Sequence, residues 1–257
     1  MTRFRRTIQS AKGWVYPPVC GSCEAPLSTD RQLKLPFLCE GCEEALTPIG
    51  DDYCQICGQS YETKMPGNFG CVNCGGRELA MDFAVSAYRS SGMARELMHA
   101  FKYGKQLPLA RLMGTLLERV WSDPRLHEVE TWLVVPVPLH PRRLRERGFN
   151  QSRELALEFI RRSGTPDQER PELKLFPSLK RIKHTVRQAQ LDRKDRLRNA
   201  VGAYELKRSV RLPDGDGIGI LIVDDVITTG TTVSECASTL RRSFELDSVA
   251  AISVMRG

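Results

Sequence analysis

Residues 220–232 read Ile-Leu-Ile-Val-Asp-Asp-Val-Ile-Thr-Thr-Gly-Thr-Thr, and this stretch constrains the fold most tightly. Ile220 to Val223 is a short apolar, β-branched run, the pattern of a buried strand. Asp224 and Asp225 follow at its carboxyl end. Beyond the loop, Val233, Cys236, Ala237, Leu240 and Phe244 recur on one face of an amphipathic helix. Thr232-x-x-Glu235 fits a capping box and predicts where that helix begins. A strand, a tight loop and a helix in this order predict an open α/β sheet, which binds ligands beyond the carboxyl ends of its strands. The loop residues Thr228, Thr229, Gly230, Thr231 and Thr232 are then placed to hold a phosphate. Backbone N–H groups, hydroxyls and the positive end of the helix would supply the contacts. The two carboxylates suit the vicinal hydroxyls of a sugar, directly or through Mg²⁺.

The rest of the chain fits that plan. Alternation at residues 80–88 predicts a strand, and residues 92–103 a helix with Leu97, Met98 and Phe101 apolar. Further helices are expected at 107–121 and 151–162, and strand then turn at 132–139. Residues 163–177 are polar, carry three Pro and read as loop. Residues 201–206 and 249–255 supply later strands. Strands separated by helices predict a parallel sheet with helices on both faces.

Eight of the nine cysteines lie in four C-x-x-C pairs: Cys20/Cys23, Cys39/Cys42, Cys54/Cys57 and Cys71/Cys74. The spacing is two copies of the zinc-ribbon pattern. Each copy is able to give a closed tetrahedral site of four thiolates and so a structural zinc ion, one or two in all. A single such turn would equally suit a redox dithiol, and disulfides are an alternative; four turns at this spacing favour metal. Sequential pairing of the turns is assumed here, with interleaving as the alternative. Cys236 reads as a small core residue. The composition shifts near residue 80: residues 1–79 carry eight Lys/Arg and nine Asp/Glu, whereas the whole chain is +7. The expected division is a double zinc-ribbon domain, 1–79, and an α/β domain, 80–257. With no long apolar run and no apolar segment after the basic amino end, the expected location is cytoplasmic, with recruitment to the inner face of the membrane as an option.

Residues 140–211 hold twenty Lys/Arg against nine Asp/Glu. A solvated basic face is the plain explanation. Two functional ones compete with it: neutralising a phosphate-rich small ligand, and binding nucleic acid. Aromatic residues are sparse there. Phe149 is a candidate stacking platform, or equally a core ring, so any single-stranded DNA binding would be mainly electrostatic.

Residues 220–232 resemble the phosphoribosyl pyrophosphate (PRPP) motif of type I phosphoribosyltransferases. Taken with the four C-x-x-C turns, Leu97-Met-His-Ala-Phe-Lys-Tyr-Gly104, Val135-Pro-Val-Pro-Leu139, Arg145-Glu-Arg-Gly-Phe-Asn-Gln151, Arg181-x-x-x-Thr185-x-x-Gln188 and Arg196-x-x-Asn199, the whole chain resembles the ComF family. That resemblance implies a type I phosphoribosyltransferase-like domain behind a double zinc ribbon. It also implies a role in natural competence, meaning DNA uptake and the handling of incoming single strands. By position it assigns Val137, Pro138 and Leu139 to the loop that meets pyrophosphate, with Arg145 and Arg147 just downstream. It assigns Asp224 and Asp225 to the ribose hydroxyls, and residues 228–232 to the 5-phosphate. Residues 181–198 occupy the place of a closing loop, where Arg181, Lys183 and Arg187 would stabilise the leaving group. Lys102 is a further phosphate-ligand candidate, or a helix-end lysine favoured by the helix dipole.

The fold alone does not decide activity. One expectation is a protein that binds PRPP with Mg²⁺ and acts in DNA uptake, with single-stranded DNA and uptake-machinery proteins as partners. The alternative is an active phosphoribosyltransferase of nucleotide salvage or related metabolism, with an acceptor that no segment of the sequence spells out.

Overall fold

The computed structural model describes residues 19–27, 35, 37–61, 71–103, 109–164, 170–183, 202–213 and 215–257. Five parallel strands form the central sheet: β1 (Phe83–Arg89), β2 (Thr131–Pro136), β3 (Glu172–Leu175), β6 (Ile218–Ile227) and β7 (Ser248–Arg256), in the order β1-β7-β6-β2-β3. A separate antiparallel pair joins β4 (Leu179–Arg181) to β5 (Tyr204–Leu206). The helices are α1 (Glu40–Glu44), α2 (Gly92–Tyr103), α3 (Leu109–Leu117), α4 (Pro141–Arg147), α5 (Gln151–Ser163) and α6 (Thr231–Arg241).

The strands alternate, so each feeds two cores. Trp132, Val134, Leu221, Val223 and Ile252 face α3 and α5, whose Leu112, Leu116, Leu155 and Phe159 are fully buried. Leu133, Val135, Ile220, Ile222 and Ala251 face the other way, onto Val233, Ala237 and Leu240 of α6. Helices thus cover both faces, as expected of this fold class. Gly219 of β6 is required by this packing: a Cβ there would stand 2.6 Å from a ring carbon of Trp132, which lies in register beside it.

The crossover after β2 runs outward to β3 through α5, and the crossover after β6 runs the opposite way to β7 through α6. The sheet order therefore reverses between β2 and β6. Their carboxyl ends diverge there and leave a crevice.

Three expectations need correction. Residues 172–175 form an edge strand rather than loop, paired to β2 in parallel from Thr131↔Glu172 to Val134↔Leu175; the alternation of Glu172-Leu-Lys-Leu175 carried that signal. The acidic pair lies inside β6, not after it, because β7 extends alongside as far as Ile227↔Arg256. Helix α6 begins at Thr231 with Gly230 in the left-handed region (φ 74°) and no side-chain cap. Glu235, expected in a capping box, instead accepts the Gly202 N–H at 2.7 Å.

The cysteine-rich segment packs directly on the sheet. Thr47 and Ile49 pair antiparallel with the outer edge of β1 through Ile49 N–H to Ala87 C=O and Arg89 N–H to Thr47 C=O. This contact covers an edge that would otherwise offer unpaired backbone groups. Cys20, Leu27, Leu38, Cys42 and Leu46 join the core beneath α2 and α3. Phe149 packs against Phe101 with ring centroids 5.5 Å apart, as a partly buried core ring.

Candidate functional site

Two clusters of four thiols have the geometry of zinc-ribbon centres. Cys20, Cys23, Cys39 and Cys42 form one, and Cys54, Cys57, Cys71 and Cys74 the other, with the sulfurs of each cluster within 4.8 Å of one another. The turns therefore pair sequentially. Cys23 and Cys39 sulfurs are 3.6 Å apart, Cys54 and Cys74 3.7 Å, and Cys57 and Cys71 3.7 Å. A Zn–S bond of about 2.3 Å gives tetrahedral S···S edges of about 3.8 Å, so the donor set fits zinc with all four positions filled by protein. The Cys39 N–H points at the Cys20 sulfur at 3.4 Å, a contact that favours thiolate. Burial and the crowding of neighbouring sulfurs push the Cys42 and Cys74 thiols upward. A divalent cation offsets that crowding.

The second site lies at the crevice between β2 and β6. A cleft of about 470 Å³ is lined there by Asp224 and Asp225 of β6, Thr228 and Thr232 of the following loop and helix, and Val137 and Leu139 beyond β2. Arg143 and Arg147 of α4, Ser152 of α5, Arg181 of β4 and Lys102 of α2 add to its polar lining. Its far wall is Arg95, Met98, His99 and Tyr103 of α2.

Local sequence explains how these side chains converge. Gly148, in the left-handed region at φ 85°, ends α4 and turns the chain. Asn150 then caps α5, accepting the Ser152 N–H at 3.2 Å while its amide donates to the Val137 carbonyl at 3.0 Å. One asparagine thus fixes the loop after β2 against the start of α5. Ser152, one helical position in, donates to Asp224 Oδ1 at 3.1 Å. The same oxygen accepts the Asp225 N–H at 2.9 Å.

Lys102 Nζ sits 2.9 Å from Asp225 Oδ1. The sequence allows this residue to be a phosphate ligand or a helix-end lysine; in the structure it balances the acidic pair. Burial, followed by the charge of Asp225, pushes the Asp224 carboxyl up to about 7, with Lys102 working against them.

The loop 228–232 is tightly tied. Thr229 and Thr231 hydroxyls lie 2.9 Å apart, and the Ser234 N–H reaches the Gly230 carbonyl at 2.9 Å. Its outer side is held by Arg77, which donates to the Thr229 carbonyl at 2.9 Å and to the Thr231 hydroxyl at 3.0 Å.

Other expected residues fall as follows. Arg147 donates to Gln151 at 2.7 Å and stands over the Tyr103 ring at 5.2 Å. Arg145 is exposed on α4 and does not line the cleft. On a helix, positions 143 and 147 share a face and 145 points away from it. Pro138 is not in the lining, although its neighbours Val137 and Leu139 are. Arg181 is buried, its guanidinium over the Tyr204 ring at 5.4 Å. Lys183 is exposed beside Gly202, and Arg187 lies outside the described residues. The sequence reading missed Arg143, Ser152 and Arg77. For Arg143 the signal was available: it is one turn from Arg147.

A doubly wound α/β domain with an acidic pair and a threonine-rich loop at its switch point, carrying a double zinc ribbon, defines the class of this protein. Residues 11–75 match the double zinc ribbon domain family. The chain is 30% identical over 207 residues to Competence protein F of Haemophilus influenzae, covering 80% of this chain and 84% of that one. It is 24% identical over 259 residues to Competence protein ComFC of Bacillus subtilis, covering 96% and 98%. It is 27% identical over 233 residues to DNA utilization protein YhgH of Salmonella typhimurium, covering 88% and 92%. The chain belongs to the ComF family.

Proposed function

We propose that the cleft binds PRPP or a closely related phosphate-bearing ligand, and that the protein acts in natural competence, in the uptake and handling of incoming single-stranded DNA. One observation carries the ligand reading: the acidic pair, Thr228 and Thr232 at the two ends of the threonine loop, and the cationic side chains of Arg143, Arg147 and Arg181 line a single cleft. Residues 228–232 would take the terminal phosphate through N–H groups and hydroxyls at the start of α6. Asp224 and Asp225 would meet the sugar hydroxyls, displacing Lys102 from Asp225. Val137, Leu139, Arg147 and Arg143 would face the pyrophosphate end, where fixed cations stabilise a leaving group. As hard oxygen donors, the two carboxylates also suit Mg²⁺, which when bound would neutralise phosphate charge.

The role in DNA uptake is supported by the competence and DNA utilization names of the relatives, and by the excess of cations in residues 140–211. Among the described residues no helix is long and apolar enough to cross a membrane. Association with the cytoplasmic face of the uptake machinery fits this reading.

A second reading, active phosphoribosyl transfer, is favoured by the extent of the cleft. It continues past the acidic pair to His99 and Tyr103, whose rings are 4.8 Å apart, leaving a wall against which an acceptor could lie. Calorimetry with PRPP and Mg²⁺ tests both readings, on wild type and on the Asp224→Ala/Asp225→Ala double variant, with pyrophosphate followed in the same samples. Binding that needs the carboxylates and releases no pyrophosphate supports the first reading. Pyrophosphate release that depends on an added acceptor supports the second. Absence of binding by the wild type refutes both.

A further inference from the structure

We infer that the zinc centre of Cys54, Cys57, Cys71 and Cys74 and the loop 228–232 form one mechanical unit, joined by Arg77, Asn73 and Arg256 as positioning residues, so that the metal sets the shape of the loop. That the loop takes a phosphate rests on the reading above; the coupling does not.

The links are direct. Asn73 lies inside the Cys71–Cys74 turn, and its amide donates to the Thr229 carbonyl at 3.3 Å. Arg77, just past the same turn, donates to that carbonyl at 2.9 Å and to the Thr231 hydroxyl at 3.0 Å. Arg77 is itself anchored to the turn through the Asn73 carbonyl at 3.2 Å. The third link starts at the sheet. Arg256, at the end of β7 and 3% exposed, directs one guanidinium nitrogen to the carbonyls of Ile227 and Thr228 and the other to the Cys57 sulfur at 3.6 Å.

Physical chemistry gives these contacts their consequence. A four-thiolate zinc centre has a net negative charge, and a buried guanidinium beside one sulfur is held in place by it. Among the described residues the turn between Cys71 and Cys74 packs only in a small cluster with Cys54, Cys57, Tyr61 and Leu79. The ion fixes it, and with it the direction of Asn73 and Arg77. The other centre points elsewhere: Gly21 abuts Leu109, and Ser22 reaches Met93 at the start of α2. Linkage makes the effect reciprocal: a ligand seated in the loop tightens zinc binding at the second centre and not at the first.

The test uses full-length, zinc-loaded protein without ligand. Zinc is withdrawn with a chromogenic chelator while amide hydrogen exchange is followed in residues 20–27, 54–61, 219–223 and 228–232. Exchange in 228–232 should accelerate together with that in 54–61, while 219–223 stay protected. Loop exchange that stays constant after 54–61 have lost protection overturns the inference. Should 219–223 also lose protection, the Arg77→Met variant decides at full zinc occupancy. Faster exchange in 228–232 and a roughly tenfold faster loss of one ion, the effect of one lost hydrogen bond to a charged group, support the coupling. Wild-type exchange and release in that variant overturn it. A final arm adds PRPP with Mg²⁺, where slower loss of one ion alone is expected. If calorimetry finds no PRPP binding, the ligand reading falls, and the ligand-free exchange decides the coupling by itself.

Discussion

Asp224→Asn should stabilise the protein above neutral pH, by an amount that follows from the burial of this carboxyl. Its pKa is raised from 3.8 to about 7 in the folded chain, by burial first and by Asp225 second. Below about pH 4 the group is protonated in both states and contributes nothing to the pH dependence. As pH rises, the unfolded chain ionises first while the folded one resists. The folded state therefore loses stability across the window from pH 4 to 7 and regains none above it. Three units at about 1.4 kcal/mol each give an upper bound of about 4 kcal/mol; sharing of charge with Asp225 and Lys102 brings the expectation to about 2–4 kcal/mol. Asparagine keeps an oxygen for the Ser152 hydroxyl and the Asp225 N–H, so the two contacts at 3.1 and 2.9 Å survive. Urea unfolding of wild type and variant at pH 4, 6 and 8 measures the gap. It should be near zero at pH 4 and widest at pH 8. A variant that is less stable at pH 8, or a gap that does not change with pH, would refute the reading of Asp224 as a carboxylate penalised by its surroundings.

The remaining predictions probe the cleft, the core and the basic stretch. Arg147→Ala should weaken PRPP binding about tenfold or more, whereas Arg145→Ala, on the opposite side of the same helix, should leave it within about twofold by calorimetry. Gly219→Ala forces a methyl to 2.6 Å from Trp132 and should cost about 1–3 kcal/mol in urea unfolding, with the zinc content unchanged. Binding to single-stranded DNA should be independent of sequence and fall linearly on a log–log plot against salt, by about 0.7 per phosphate contacted; filter binding at several salt concentrations checks this, and a flat profile would count against an electrostatic interface.

Much of the fold was legible because it depends on local pattern. Apolar runs at 132–135 and 220–223 and the helical stripe Val233, Cys236, Ala237 and Leu240 are each buried where periodicity placed them. The C-x-x-C turns were legible for a similar reason: a thiolate turn is specified within four residues. The misjudged parts were set by partners distant in sequence. Residues 172–175 became a strand because β2 offered an open edge, and β6 outran its apolar run because β7 continued beside it. Glu235 sat at the right spacing for a cap and was drawn instead to the Gly202 N–H.

The same distinction separates the parts of the cleft. The threonine loop and acidic pair are one contiguous segment, so the sequence displayed them together. Their electrostatic setting is not contiguous. Lys102 arrives from α2, Ser152 from α5 and Arg181 from β4, and each meets Asp224 or Asp225, or the cleft they line, only after the sheet order reverses between β2 and β6. That reversal makes a partly buried acidic pair tolerable: Lys102 offsets the charge that desolvation penalises. The zinc ribbon enters by the same route. Arg77 and Arg256 flank the loop from the ribbon side and from the end of the last strand. The carbonyls of Ile227, Thr228 and Thr229 are held from outside, while Thr228 and Thr232 line the cleft. A ribbon that merely capped the sheet would need neither contact. Their presence ties the ribbon to the threonine loop and makes it part of the cleft's architecture.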